Sequence, residues 1–304
     1  VPNYFGVLKK YKSYSFCFSY VVPEAFIEHQ DLVFENPLST VKKYYQSLHS
    51  EDITYLLGPS GAMQFGESLS LGLTLYYQYR SFMRQQHYFL EDTDGTFYQV
   101  FYESKKQRED GVMPKIGMQW SPWSLITVGM ALDQTFLINA PSQGDLSYHI
   151  ADNTTSTASQ STTMTRTKSE VKRKLPTHLA FGVAYFPTPS QLYTVDLDYY
   201  QAQEKGRADI MNYSGGTEYY LNPTNAVRFG LFTNYTNLPN TDSSTVSPYE
   251  YIDILGASLG YTSYSSSSSI TLGAIYTYGS GKAWLYSGES KYTSRNMKRD
   301  SLTL

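Results

Sequence analysis

The sequence predicts an all-β chain: a transmembrane antiparallel β-barrel with about fourteen strands in the full protein, about twelve of them complete here. Three observations predict it. Apolar and polar residues alternate strictly over many segments, as in Leu69, Leu71, Leu73, Leu75 and Tyr77 against Ser70, Gly72, Thr74, Tyr76 and Gln78, and a period of two gives a strand one apolar and one polar face. The connections between those segments alternate between short and long, so the long ones fall at one end of the sheet, as in outer-membrane barrels. Aromatic residues make up 16% of the 304 residues and charged ones only 17%, below the roughly 25% of an ordinary soluble domain. A mean hydropathy of -0.40 and the lack of a run of about 18 apolar residues exclude a helical span. Strands can cross with far fewer apolar residues.

In chain order, strands are expected near 3–8, 13–28, 53–65, 68–90, 110–121, 123–138, 170–187, 191–204, 210–221, 226–236, 250–263 and 269–279. A thirteenth starts at Arg299 and is cut off. The segment Tyr14, Phe16, Phe18, Tyr20 alternates with Ser13, Ser15, Cys17, Ser19, and the same pattern returns in Leu179 to Tyr185, Val227 to Leu231 and Ile270 to Tyr278. Short links are expected at Lys9 to Lys12, Phe65 to Ser68, Ser121 to Trp123, Pro187 to Ser190, Asn222 to Asn225 and Tyr264 to Ser268. Long polar loops are expected at His29 to Asp52, Glu91 to Glu109, Ala140 to Ser169, Glu204 to Asp209, Asn237 to Tyr249 and Gly279 to Met297. Trp120, Trp123, Tyr199, Tyr200, Tyr276 and Tyr278 sit at strand ends, where rings anchor at the membrane interface. The alternation runs throughout, so residues 1–304 read as a single barrel domain, with an export signal lying outside the chain.

Composition also excludes function classes. A net charge of -3 argues against a nucleic-acid partner, which requires a basic face. The single cysteine, Cys17, excludes intrachain disulfides and a cysteine zinc site. The histidines His29, His49, His87, His149 and His178 show no metal-ligand spacing, and no nucleophile, base and orienter are grouped, so the chain reads as a non-enzyme without metal or cofactor.

Three segments resemble the FadL/TodX family of outer-membrane transporters for long-chain fatty acids and other hydrophobic compounds. Val1-Pro2-Asn3 followed by Tyr4 to Val7 is similar to the family's second strand, and Ser15 to Glu28 to its third. Leu175-Pro176 through Leu179 to Pro189, with Asp196 and Tyr199, is similar to its mid-chain hairpin. Val227-Arg228-Phe229-Gly230 running to Asn237-Leu238-Pro239 is similar to the strand entering its proline-containing loop, with one of the usual prolines present. The resemblance implies a fourteen-stranded barrel preceded by an N-terminal plug, of which this chain would carry strand two to the start of strand fourteen.

Two groups of residues carry the functional reading. Pro23 lacks a donor and so belongs at an edge or a bulge. A bulge at the extracellular rim is the plain reading, while the resemblance implies that Val21, Val22 and Pro23 form a lateral opening through which an apolar ligand enters the bilayer. On the strand from 68 to 90 the inward parity runs through Tyr76, Arg80, Phe82 and Arg84, mixing cations with rings, which suits an amphiphile with a carboxylate head. The family has an arginine one position from Arg80, and Arg207 lies near a second basic position. Solvated lumen charges, as in any porin, are the alternative for each. The basic run Lys168 to Lys174 reads as an extracellular cluster facing anionic lipopolysaccharide.

The implied activity is transport of long-chain fatty acids or other hydrophobic small molecules across a bacterial outer membrane, by lumen binding and lateral release. The implied partners are that small molecule, outer-membrane lipids and lipopolysaccharide, and no nucleic acid, with the protein a monomer. A non-specific porin and a surface adhesin barrel are the alternatives.

Overall fold

The computed structural model describes residues 3–153, 159–238, 250–286 and 292–303. Its strands are β1 (Tyr4–Tyr11), β2 (Tyr14–Leu38), β3 (Val41–Phe65), β4 (Leu69–Asp92), β5 (Phe97–Trp123), β6 (Ile126–Gln134), β7 (Phe136–Asn139), β8 (Pro141–Asp152), β9 (Ser159–Glu170), β10 (Thr177–Thr188), β11 (Gln191–Gln201), β12 (Ile210–Asn222), β13 (Asn225–Asn234), β14 (Glu250–Tyr264), β15 (Ser269–Tyr286) and β16 (Tyr292–Thr303). All belong to one antiparallel sheet. The main path runs β1 through β6 and then β10 through β16, while β7 and β8 pair with the upper part of β5, and β9 pairs with β8.

The thirteen strands of this path match the twelve expected strands and the truncated thirteenth. Two segments differ. The expected strand 123–138 breaks at Thr135 into β6 and β7, and the one at 170–187 begins only at Thr177, so Val171 to Pro176 lie outside the sheet.

Most short turns are where the sequence places them, for instance at Gly66, whose φ of 63° favours a residue without a Cβ, but β5 continues through the link expected at Ser121 to Trp123, so that turn falls at residues 124–125, and the one expected at Lys9 to Lys12 falls at residues 12–13. Most of the expected long loops are instead strands. His29 to Asp52 forms the upper half of the β2–β3 hairpin, and Glu91 to Glu109 most of the β4–β5 tip. The span Ala140 to Ser169 holds β8 and β9, and Gly279 to Met297 holds the described ends of β15 and β16. These segments lack apolar alternation because both of their faces meet a polar medium: residues 29–36 are exposed on either face. Only Glu204 to Asp209 remains a loop of the expected kind. Val1, Pro2 and most of the Asn237 to Tyr249 connection, including Pro239, lie outside the described residues.

Polarity is inverted relative to a soluble domain. Leu71, Leu73, Leu75, Tyr77, Ile116, Trp120, Phe181, Val195, Leu231, Leu259 and Leu272 are exposed, while Ser19, Thr54, Gln78, Glu109 and Thr262 are buried. Several dozen large apolar side chains stand out this way. Leaving each in water forgoes on the order of 1 kcal/mol, and their sum would exceed the stability of about 5–15 kcal/mol typical of a folded domain. The outward face therefore meets lipid, with the aromatic excess of the composition on it and a polar interior behind it.

Candidate functional site

The interior face is organised by cross-strand rows. Lys115 on β5, Asp133 on β6, His178 on β10 and Tyr200 on β11 are successive register partners. Lys115 Nζ lies 3.1 Å from Asp133 Oδ2, and the His178 ring spans two carboxylates, with Nδ1 at 3.1 Å from Asp133 and Nε2 at 2.9 Å from Asp198. Its other surface stacks on Tyr200 at 4.4 Å between centroids. The charged groups of this row thus meet one another as partners, which half-buried ionisable groups require.

Above this row opens a cavity of about 570 Å³. Leu56, Met113, Leu175, Pro176, Ile210 and Tyr200 give it apolar surface, while Gln78, Thr135, Asn212 and Asn237 together with the charged Glu24, Lys115, Asp133 and Arg173 and with His178 give it polar surface. Such a mixture suits a ligand that has apolar surface and is oriented by several polar contacts. A second cavity of about 680 Å³ lies on the same inner face toward the short turns, walled by Gly72, Gly117, Gly129, Gly182 and their alanine neighbours.

Pro23 lines the upper cavity and also sits in a defect of the wall. The β2–β3 register runs Val21↔Leu56 and then Glu24↔Thr54, so Val22 and Pro23 face one residue of β3: a bulge, formed because proline has no donor for the ladder. On the far side of β3 the ladder to β4 is unpaired between Leu57↔Tyr77 and Ser60↔Thr74, where Gly58 and Pro59 stand. The wall is weakened on both edges of β3 within a few residues. Proline spacing alone marks the first defect. The second needs the strand pairing to be seen.

The cations singled out in the sequence are placed differently. Arg80 is held at 2.7 Å from Asp52 Oδ1 and 3.0 Å from Glu109 Oε1, with its guanidinium carbon 5.3 Å from the centre of the Phe82 ring. Glu109 is fully buried and also binds Arg173 from the β9–β10 connection at 2.8 Å. Tyr76 hydrogen-bonds the buried Ser19 at 2.9 Å. Arg84 is exposed one step further up the same face. Arg207 lies in the turn between β11 and β12 and donates to Asn237 Oδ1 at 3.1 Å, at the rim of the upper cavity. Tyr76, Arg80, Phe82, Arg84 and Arg207 are therefore not gathered around one space, and Arg80 is already matched by two carboxylates. Leu56, His178, Tyr200 and Arg173, which do line the cavity, lie on strands or connections that sequence spacing does not link.

No protein-family model matches the sequence, and no curated protein is significantly similar to it. Solved structures are similar in fold. A TodX deltaS2S3 mutant described as a monoaromatic hydrocarbon channel matches with a TM-score of 0.62 and 12% identity, covering 98% of this chain and 81% of that one. The TodX deltaS2 mutant matches with a TM-score of 0.56 and 11% identity, covering 98% and 86%. The toluene transporter TodX of Pseudomonas putida matches with a TM-score of 0.52 and 11% identity, covering 98% and 80%. At these identities the likeness is one of architecture, and it agrees with the inverted polarity of the sheet: the chain has the fold of an outer-membrane β-barrel of the TodX kind.

Proposed function

We propose that this protein carries hydrophobic small molecules across the bacterial outer membrane, binding them in the upper cavity and releasing them sideways through the wall at Val22 and Pro23. The observation that supports this most is that Pro23 belongs both to the cavity lining and to the bulge that interrupts the β2–β3 ladder. An apolar solute in the cavity thus has the bilayer on the other side of an interrupted stretch of wall, and entering it avoids the hydration cost of a path through water. The solved structures of similar fold are named as channels and transporters for hydrocarbons, which supports the same class of cargo.

The charge balance favours an uncharged cargo over a fatty acid. Lys115, Arg80 and Arg173 are each bound to carboxylates, so a carboxylate ligand would have to displace Asp133, Asp52 or Glu109. Long-chain fatty acids remain the second cargo class to test.

The test is uptake of a radiolabelled apolar compound by liposomes carrying the full-length protein with Pro23→Val, which restores a donor and straightens the ladder. Uptake should fall toward that of protein-free liposomes while the barrel stays folded. Unchanged uptake would remove the lateral route. Steady ion conductance with no saturation by the compound would instead support a non-specific porin.

A further inference from the structure

The outward face of β5, β8 and β9 carries a charged groove, with three cations against two carboxylates, at the level where the apolar band ends. Trp120 and Asp110 are ten residues apart on β5. At about 3.3 Å per residue and a tilt of about 40°, that is about 25 Å of height, the thickness of the apolar band of an outer-membrane barrel. Trp120 marks the lower interface. The upper one is marked by Tyr77, whose hydroxyl donates to Asp110, and by Tyr79, whose ring centre lies 5.1 Å from the Arg108 guanidinium carbon.

The groove opens directly above. Arg108 and Asp110 from β5, Asn139, Pro141, and Lys168 and Glu170 from β9 line a hollow of about 620 Å³. A neighbouring hollow of about 460 Å³ shares Arg108, Pro141 and Lys168 and adds Lys106 and Gln143. Lys106, Gln143 and Lys168 are register partners across three strands, on the face that carries Ile116 and Trp120 lower down. Arg108 is paired with Asp110, and Glu170 with Lys172. Lys106 and Lys168 are exposed, and among the described residues neither makes an ion pair within 4 Å, although Lys106 lies within electrostatic reach of Asp145, whose carboxylate is held by Arg166.

The basic run of the sequence does not act as one block. Arg173 turns inward to Glu109 and Lys172 is taken up by Glu170 at the edge of the groove, so Lys168 is the cation of that run that lines both hollows, where Lys106 and Arg108 join it. Edge protection would account for a lysine on β9, the outer strand of the β8–β9 flap. It does not account for Lys106, which is flanked by strands on both sides.

We propose that this groove binds the phosphorylated headgroup of an outer-leaflet glycolipid, with Lys106 and Lys168 holding phosphate and the Ile116, Leu75 and Tyr77 surface below taking the acyl chains. Height, sign of charge and adjoining apolar surface all fit a molecule that is anionic at the membrane boundary and apolar beneath it. The site is separate from the lumen.

The full chain in detergent micelles is titrated with bisphosphorylated lipid A, with the same glycolipid dephosphorylated, and with inorganic phosphate. Lys106→Gln combined with Lys168→Gln should weaken binding of the bisphosphorylated lipid by about thirtyfold. Dephosphorylated lipid should bind the unaltered protein as weakly as this variant binds the phosphorylated one, and Lys106→Arg with Lys168→Arg should retain the affinity. Heat modifiability on gels confirms that each variant is folded. Unchanged affinity in the glutamine variant, equal binding of dephosphorylated lipid, or inorganic phosphate binding as tightly as the lipid would each overturn the proposal. Uptake of an apolar compound is measured on the same variants and should be unaffected, so a failed transport reading and a failed headgroup site give different results.

Discussion

Arg173 leaves the segment that joins β9 to β10 and grips Glu109 on the wall, with Nε at 2.8 Å from Oε1 and Nη2 at 2.9 Å from Oε2. Arg80 holds the same carboxylate from the neighbouring strand at 3.0 Å. Glu109 thus ties a connection that lies outside the sheet to the sheet itself, and it is fully buried while doing so. A buried carboxylate between two guanidiniums is costly to neutralise, because Arg173 then loses its partner and Arg80 keeps only Asp52. Glu109→Gln keeps the shape and removes the charge, and it should lower stability by about 3–5 kcal/mol. Arg173→Met should cost less, since Arg80 still pairs with Glu109, and should raise amide exchange in residues 171–175. Urea unfolding in micelles checks the first expectation and hydrogen exchange the second. A midpoint for Glu109→Gln equal to that of the unaltered protein would rule out the tie.

Arg80 should affect stability more than carboxylate recognition. Its guanidinium is consumed by Asp52 and Glu109. Arg80→Met should therefore change the affinities for a fatty acid and for the fatty alcohol of equal length by the same factor. Binding of both by calorimetry, in the unaltered and altered protein, decides it. A selective loss of the acid would show that Arg80 can release its carboxylates and serve as an anchor.

What the sequence makes legible follows from what surrounds each strand. Where one face meets lipid and the other a polar interior, as along Leu69 to Tyr77, the alternation is strict and strand, face and turn can all be read. Above the membrane both faces of β2, β3, β8 and β9 meet polar surroundings, so Gln30 to Gln46 carries no period and reads as loop although its backbone is paired. The site was less legible for a different reason. Pro23 is visible by its chemistry, whereas the pairing of Arg80 with Asp52 and Glu109, at 28 and 29 residues' separation, depends on register across three strands.

The tip of the β4–β5 hairpin, well beyond the apolar band, should respond to acid. Asp92 accepts from the Phe97 amide at 3.0 Å and the Thr96 hydroxyl at 2.7 Å, and these bonds hold its carboxyl below the usual aspartate range. A carboxyl lowered in the folded state favours folding above the ordinary pKa of about 3.9, and that contribution is lost as pH falls toward the lowered value. Amide exchange at Gly95 to Phe97 should thus rise as pH drops below about 4 relative to its intrinsic rate. Asp92→Asn should show raised exchange already at neutral pH. A tip whose protection is the same at both pH values and in the variant would show that the Asp92 bonds do not close it.

At Gly58 the wall has no room for a side chain. A Cβ there would fall on the Leu75 carbonyl oxygen, with the Leu75 carbon at 2.9 Å and Tyr76 Cα at 3.0 Å, all backbone or Cα atoms that cannot swing aside. Pro59 next to it has no donor for β4, so the two strands approach there without a ladder bond to set their spacing. Gly58→Ala must push β4 outward, carrying Tyr76 away from Ser19, and should cost about 1–3 kcal/mol. Gly61, three residues on in the same strand, supplies the control. Its nearest neighbours to a Cβ are Phe16 ring atoms at 3.9 Å, an ordinary contact, so Gly61→Ala should be neutral or mildly stabilising through the lost freedom of the unfolded chain. Urea midpoints of the two variants should move in opposite directions or differ by at least the cost of the clash. Equal midpoints would mean that β3 and β4 separate freely beside the bulge, and that Gly58 is a tolerated residue instead of a required one.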